Sequence, residues 1–305
     1  MCGIAGFVGK KAINKVIEIL IAQENRGKQG AGVAYVKDGK VEVLKAPTSP
    51  TKLAKTFKND IAKLSDITVA IGHNRMPTQG AATFENTHPF LARDSGFALL
   101  HNGNFDTSEF KLLLKFHNVK LDGECDSEYF ARALELYVAK YGDIKTALEQ
   151  LINDISDSKD DDFEIVYSYY YGKHYYRSYS YSSHKYAVLV LDSNNNIYLV
   201  KDRYSDGYIL KSESGIAIVS DVDCRLLFDG DVKIFEPKAN KVVVITSNGD
   251  IIGDVREVEI VTTTKNEKQK KESNQENKKQ KPKNPKVRCE NCYYWERRSL
   301  SKNLN

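Results

Sequence analysis

What this chain lacks narrows the choice before any motif is read. No apolar run approaches the roughly 20 residues that a bilayer-crossing helix needs, and stretches such as Val242–Ile245 are strand-sized. The first residues show no charged leader followed by an apolar segment, so a secretory signal is not expected. Cysteine is sparse and odd in number, five residues at positions 2, 125, 224, 289 and 292. That usage fits free thiols in a reducing cytoplasm better than a disulfide framework. The glycine-rich stretch Asn25–Gly32 is not followed by a helix opening on Lys-Ser or Lys-Thr, which argues against a phosphate-binding loop.

What remains is a chain of 305 residues with 41% hydrophobic and 28% charged side chains, enough for one large domain or two ordinary ones. The net charge of +4 hides an asymmetry: residues 265–288 carry ten Lys/Arg against three Asp/Glu, which leaves residues 1–264 mildly acidic. Residues 264–286 are Lys, Asn, Gln and Glu with two prolines, the composition of a disordered linker. This basic linker either touches nucleic acid or serves as a solvated spacer. The last residues contain Cys289-x-x-Cys292 followed by Tyr293-Tyr294-Trp295. One C-x-x-C is half of a zinc site, and it reads as a zinc or redox pair to be completed by a partner or a second copy. The alternative is a plain aromatic peptide anchor.

The chain opens Met1-Cys2-Gly3-Ile4-Ala5-Gly6-Phe7. Once Met1 is trimmed, Cys2 bears a thiol and a free α-amino group on one residue. An α-amine titrates at about 7.7–8.0 and so can act as the local base that generates a thiolate, the nucleophilic form of cysteine. The same residues also suit a small apolar side chain opening a buried strand. Beyond them, apolar residues at Ile13, Val16, Ile17, Leu20 and Ile21 predict a helix, and alternating or continuous apolar runs predict strands at 33–36, 41–44, 67–72 and 97–100. Helices are expected at 53–64, 107–116, from about 126 through 137, and at 144–155, with a run of short strands from 187 to 252. Nine of the 18 tyrosines fall between Tyr167 and Tyr186, which reads as a hairpin with aromatic faces, either simply amphipathic or a docking surface.

Polar residues recur where apolar strands end: Arg75 and Thr78 after one, Asn102-Gly103 after another, and Asp126 at the start of a helix. An arginine grips a carboxylate with two hydrogen bonds, and an aspartate suits an ammonium. Arg75 and Asp126 can therefore hold the two ends of a free α-amino acid while Cys2 attacks a carbonyl on its side chain. The Asn102 amide and the Gly103 N–H would donate to the resulting oxyanion. An amino acid with such a carbonyl is glutamine or asparagine.

These residues resemble successive motifs of the class II glutamine amidotransferases, which belong to the N-terminal nucleophile hydrolases. The motifs are Met1-Cys2-Gly3-Ile4-Ala5-Gly6, Arg26-Gly27-x-x-Gly30-Ala31-Gly32, Gly72-His73-x-Arg75-x-Pro77-Thr78-x-Gly80, Asn86-x-His88-Pro89, His101-Asn102-Gly103 and Asp126-Ser127-Glu128. They stand in the family's order, densely over residues 2–135 and more thinly over 186–262. The resemblance implies an α+β fold, a four-layer αββα sandwich, filling residues 2–262 with a tyrosine-rich insert at about 163–186. The linker (263–286) and tail peptide (287–305) follow. It implies that L-glutamine is hydrolysed through a γ-glutamyl thioester on Cys2, without a cofactor. Arg75 and Thr78 would bind the α-carboxylate, Asp126 the α-ammonium, and Asn102 with Gly103 the oxyanion; Arg26 matches an arginine beside the nucleophile. His73, His88 and His101 are expected to be structural hydrogen-bonders and Cys125 a packing residue. No sugar-isomerase, phosphoribosyl-binding or ATP-pyrophosphatase pattern accompanies these motifs, so ammonia is expected to pass to a separate synthetase subunit, or the protein acts as a stand-alone glutaminase. Two other readings are an amidase acting on a different amide and a non-catalytic binding module that keeps the fold.

Overall fold

In the computed structural model, which describes residues 2–93, 96–157 and 184–259 and the backbones of two further strands, the chain opens with β1 (Gly3–Gly9) and α1 (Ala12–Ala22). Next come β2 (Gly30–Lys37), β3 (Lys40–Ala46), the short helices α2 (Pro50–Thr56) and α3 (Lys58–Ala62), and β4 (Val69–Arg75). Two strands, β5 (Phe90–Leu91) and β6 (Phe97–Asn104), precede three helices, α4 (Ser108–Phe116), α5 (Asp126–Tyr141) and α6 (Ile144–Asp157). The two strands described by backbone alone, β7 (Phe163–Tyr170) and β8 (Lys173–Ser180), pair antiparallel from Phe163↔Ser180 to Tyr170↔Lys173. The remainder is β9 (Lys185–Asp192), β10 (Ile197–Lys201), β11 (Tyr208–Ser212), β12 (Gly215–Val219), β13 (Lys233–Pro237), β14 (Val243–Ile245), β15 (Ile251–Ile252) and β16 (Val255–Glu257).

Two antiparallel sheets carry the body. One has eight strands in the order β16-β13-β11-β12-β1-β4-β2-β3, the other six in the order β15-β14-β10-β9-β6-β5. Ile4, Val8, Ile71 and Ile218 from the first meet Leu100, Leu189 and Leu199 from the second in a fully apolar interior. The outer face of the six-stranded sheet packs Leu99, Val188 and Val190 against Phe130, Leu134, Leu148 and Ile152 of α5 and α6. On the other side α1 lies over β1 and β4. The result is the expected four-layer αββα sandwich. Its central strands are covered on both faces, which is why they read as continuous rather than alternating apolar runs. Helix α1 comes in close because Gly72 has no side chain: a Cβ there would stand 2.6 Å from Val16 Cγ1 and 2.9 Å from Leu20 Cδ1.

Some elements differ from the pattern-based expectation. The helix expected over 53–64 starts earlier, at Pro50 behind a Ser49 cap, and breaks at Phe57 into α2 and α3. Strand β4 does not stop before its polar residues but runs through His73, Asn74 and Arg75, all buried. Pairing with β1 and β2 carries it that far (Gly3↔Asn74, Gly30↔Arg75). Asn74 tolerates burial because its Nδ2 donates to the carbonyls of Leu20 (2.7 Å) and Gln23 (3.1 Å). Strand β6 likewise continues through Asn102 and Gly103 to Asn104. The expected linker at 263–286 and the C-x-x-C peptide, with Cys289 and Cys292, lie outside the described residues. Among the described residues no helix is long and apolar enough to cross a membrane.

Candidate active site

Cys2 sits half-buried just ahead of β1. Its Sγ accepts a hydrogen bond from the Met76 N–H at 3.3 Å and lies 3.5 Å from the Met76 carbonyl. Burial pushes the thiol above its ordinary pKa, opposed by the Met76 N–H and the nearby charge of Arg75. The Cys2 carbonyl is held by two donors, Arg26 Nε and Asn102 Nδ2, each at 3.0 Å. Arg26 is itself pinned by an ion pair from Nη2 to Asp206 Oδ2 at 2.8 Å.

A cavity of about 20 Å³ opens at the thiol, lined by Cys2, Arg75, Met76, Thr78, Gln79, His88, His101, Gly103, Cys125, Asp126 and Ser127. Five of the seven residues expected from the sequence to act in catalysis or substrate binding thus share one cavity: Cys2, Arg75, Thr78, Gly103 and Asp126. Arg75, at the end of β4, turns its guanidinium onto its own loop and donates to the carbonyls of Ala81 (2.8 Å), Gln79 (2.6 Å) and Gly80 (3.3 Å). Three of its five N–H groups are used in this way. Asp126 opens α5, where the helix dipole favours a carboxylate. Its Oδ2 accepts from the Phe105 N–H at 2.7 Å and its Oδ1 from the Ser127 N–H at 2.9 Å. Gly103 has φ +137°, and a Cβ there would come within 1.8 Å of the Lys185 carbonyl oxygen, so no other residue fits.

Asn102 and Arg26 are placed beside the cavity rather than on its wall. Both N–H groups of the Asn102 amide are engaged, one by the Cys2 carbonyl and one by Ser220 Oγ at 2.9 Å.

The three histidines surround this centre in the interior. His73 Nε2 lies 3.0 Å from the His101 carbonyl, and His101 Nδ1 lies 2.9 Å from Ser127 Oγ. Burial lowers all three imidazole pKa values, that of His73 to about 3, so none is a ready base at neutral pH. His88 differs from the expectation of a structural hydrogen-bonder. Neither of its ring nitrogens has a hydrogen-bond partner. It is held instead by rings, 4.0 Å between centroids from His73 and 4.8 Å edge-on to Phe90. Cys125 is 2% exposed and packs in the helical core, as expected, yet it also faces the cavity.

Sequence patterns did not point to Gln23, Asp206 or Ser220. Gln23 Nε2 donates to the Ile4 carbonyl at 2.7 Å, just past the nucleophile. Asp206 carried a turn signal from Asp206-Gly207, and Ser220 closed an apolar strand; neither has a local mark of its longer-range contact.

Over residues 1–168 the chain matches the model of the class-II glutamine amidotransferases. It belongs to that family. Members of the family use an N-terminal cysteine, the position that Cys2 takes once Met1 is removed. Among curated amidotransferases, the glutamine–fructose-6-phosphate aminotransferase of Aquifex aeolicus is 38% identical over 136 residues, covering 44% of this chain and 22% of that protein. Its counterpart in Caldanaerobacter subterraneus is 32% identical over 160 residues, covering 52% and 26%. The chain therefore spans about a quarter of the length of these relatives. The fold is shared with the glutamine phosphoribosylpyrophosphate amidotransferase of B. subtilis complexed with ADP and GMP (TM-score 0.60, 18% identity, 85% of this chain and 50% of that one). It is shared too with a glutamine aminotransferase class-II domain protein from Silicibacter pomeroyi (TM-score 0.50, 14% identity, 86% and 100%). The family match ends inside β7.

Proposed function

We propose that this chain hydrolyses L-glutamine to glutamate and ammonia through a thioester on Cys2, and that the ammonia passes to an acceptor held by a separate partner synthetase. The observation that carries this reading is the single cavity in which the Cys2 thiol meets Arg75, Thr78, Gly103 and Asp126. After removal of Met1, the α-amine of Cys2 takes the thiol proton and the thiolate attacks the γ-carboxamide carbon. The tetrahedral oxyanion is stabilised by the Gly103 N–H and the Asn102 amide, which has to exchange one of its two present acceptors to reach it. Collapse expels ammonia, which leaves with the proton held by the α-amine, and water then cleaves the thioester to release glutamate. Arg75 and Thr78 bind the α-carboxylate and Asp126 the α-ammonium. Arg26 steadies the nucleophile through its carbonyl.

A cavity of about 20 Å³ has room for roughly one water molecule. Room for glutamine therefore requires movement of the cavity wall, which includes the segment following Arg75. A substrate carboxylate and the carbonyls of residues 79–81 compete for the same guanidinium, which couples binding to the position of that segment.

The direct test is glutamate release from glutamine by the processed chain and by Cys2→Ala. Release is expected from the first and abolished in the second, and release that survives the substitution would overturn the reading. N-acylated glutamine should resist hydrolysis, since it offers no ammonium for Asp126. Comparable turnover of amides without a free α-amino acid end would instead favour a broader amidase.

A further inference from the structure

We infer that Ser220 is a positioning residue of this site, setting the Asn102 amide and, through it, the backbone of Cys2; the inference rests on the glutaminase function proposed above. The backbone ladder between β1 and β12 ends at Ala5↔Val219. One step beyond it, Ser220 continues the pairing by different means. Its N–H donates to the Ile4 carbonyl at 3.3 Å, and its Oγ accepts from the Ile4 N–H at 2.9 Å. A side-chain oxygen thus stands where the next ladder carbonyl would have been, and β1 stays attached to within two residues of the nucleophile.

The same Oγ also accepts from Asn102 Nδ2 at 2.9 Å. Asn102 belongs to β6 of the six-stranded sheet, and Ser220 follows β12 of the eight-stranded one. One hydroxyl, 2% exposed, therefore ties the two sheets together where the reactive residue sits. The amide nitrogen is oriented by two acceptors, Ser220 Oγ and the Cys2 carbonyl at 3.0 Å. When Met1 is removed, Cys2 becomes the chain terminus. It is then held from its carbonyl side by Asn102 Nδ2 and Arg26 Nε. Without the Ser220 oxygen, the Asn102 amide nitrogen keeps one acceptor, the Cys2 carbonyl, and loses the contact that ties it to the eight-stranded sheet.

Ser220 does not line the cavity, so its effect belongs to the chemical step more than to substrate affinity. A misplacement of about 1 Å at a reacting group can cost about a hundredfold in rate. The experiment uses the full processed chain, with kcat divided by the number of Cys2 thiols titrated by a chloroketone analogue of glutamine. For Ser220→Ala, kcat per titrated thiol is expected to fall about tenfold to a hundredfold with KM changed by less than about threefold. In an Asn102→Ala background the same substitution is expected to lower kcat by less than about twofold, because the residue it acts through is gone. Should Ser220→Ala fail to fold, Ser220→Cys keeps the shape of the side chain with a larger atom and a weaker acceptor, and a loss in kcat per titrated Cys2 thiol is expected there as well.

A purely structural serine would reduce the number of titratable thiols and leave the survivors turning over at the wild-type rate, which would overturn the inference. Full multiplicative loss in the Asn102→Ala background would also overturn it. If the wild-type chain turns over glutamine and Ser220→Ala matches it, only the positioning role falls. If the wild-type chain turns over none, the functional reading falls and the positioning role with it.

Discussion

At the scale of single residues, the centre around Cys2 is defined as much by groups kept uncharged as by charged ones. His73, His88 and His101 are buried and their imidazoles stay neutral, because desolvation disfavours the protonated ring. In the unfolded chain the same rings titrate near 6.5, so as the pH falls below that value the unfolded state takes up protons that the folded state refuses. The stability these rings confer is complete above pH 6.5 and is lost as the pH drops towards their folded values. For His73, at about 3, the loss between pH 7.5 and pH 5.5 amounts to about 1.4 kcal/mol. Urea unfolding at the two pH values should show a lower midpoint at pH 5.5, and His88→Phe, which keeps the ring stack, should narrow the difference. Equal midpoints for the wild-type protein would contradict this account. Residue identity carried much of the site into view: a cysteine after the initiator, a strand-end arginine and a helix-opening aspartate each announce their chemistry by type. Ser220 does not, because a serine's role lies in its partners, and Ile4 and Asn102 are far from it in sequence.

At the scale of elements, periodicity located α1 but not all of its contacts. Ile13, Val16, Ile17 and Leu20 are buried as their spacing predicts, whereas Ile21 is 41% exposed and Ile19, off the expected stripe, is fully buried. Helix α1 also packs against α2, so it is covered on more than one side. Its seat on β4 depends on Gly72, and Gly72→Val would drive a side chain into Val16 and Leu20. Overpacking of this kind costs about 1–3 kcal/mol. Thermal unfolding should show a melting temperature lowered by several degrees, and an unchanged value would mean that α1 sits further from the sheet than described. Strands β5 and β16 were not legible beforehand. They are two and three residues long, too short for a periodic signal, and exist because a neighbouring strand offers them a ladder.

At the scale of the whole molecule, every side chain of the candidate site lies between Cys2 and Ser220, within the unit Met1–Glu259. Removal of residues 260–305 is therefore expected to leave glutamate release per titrated Cys2 within about twofold of the full chain, since truncation tolerance follows from the contacts removed. Ammonia delivery to a partner synthetase is a separate readout. If the truncated chain keeps its glutaminase rate but loses pull-down of that partner, the removed residues serve docking. A lost glutaminase rate would show that they support the site itself.

By itself the sequence determined the nucleophile, the order of the family motifs, and the helices and central strands that assemble into four layers. Those features reside in residue type or in a local period of 3.6 or 2, both readable from neighbours along the chain. Only the tertiary structure decided that Arg75 closes its own loop, that Asn102 and Arg26 hold the Cys2 carbonyl, and that Thr78, Gly103 and Asp126 reach one cavity with the thiol. Side-chain direction at a strand end follows from register, and register here is set between strands of two sheets far apart in the chain, such as β1 against β12 and β6 against β9.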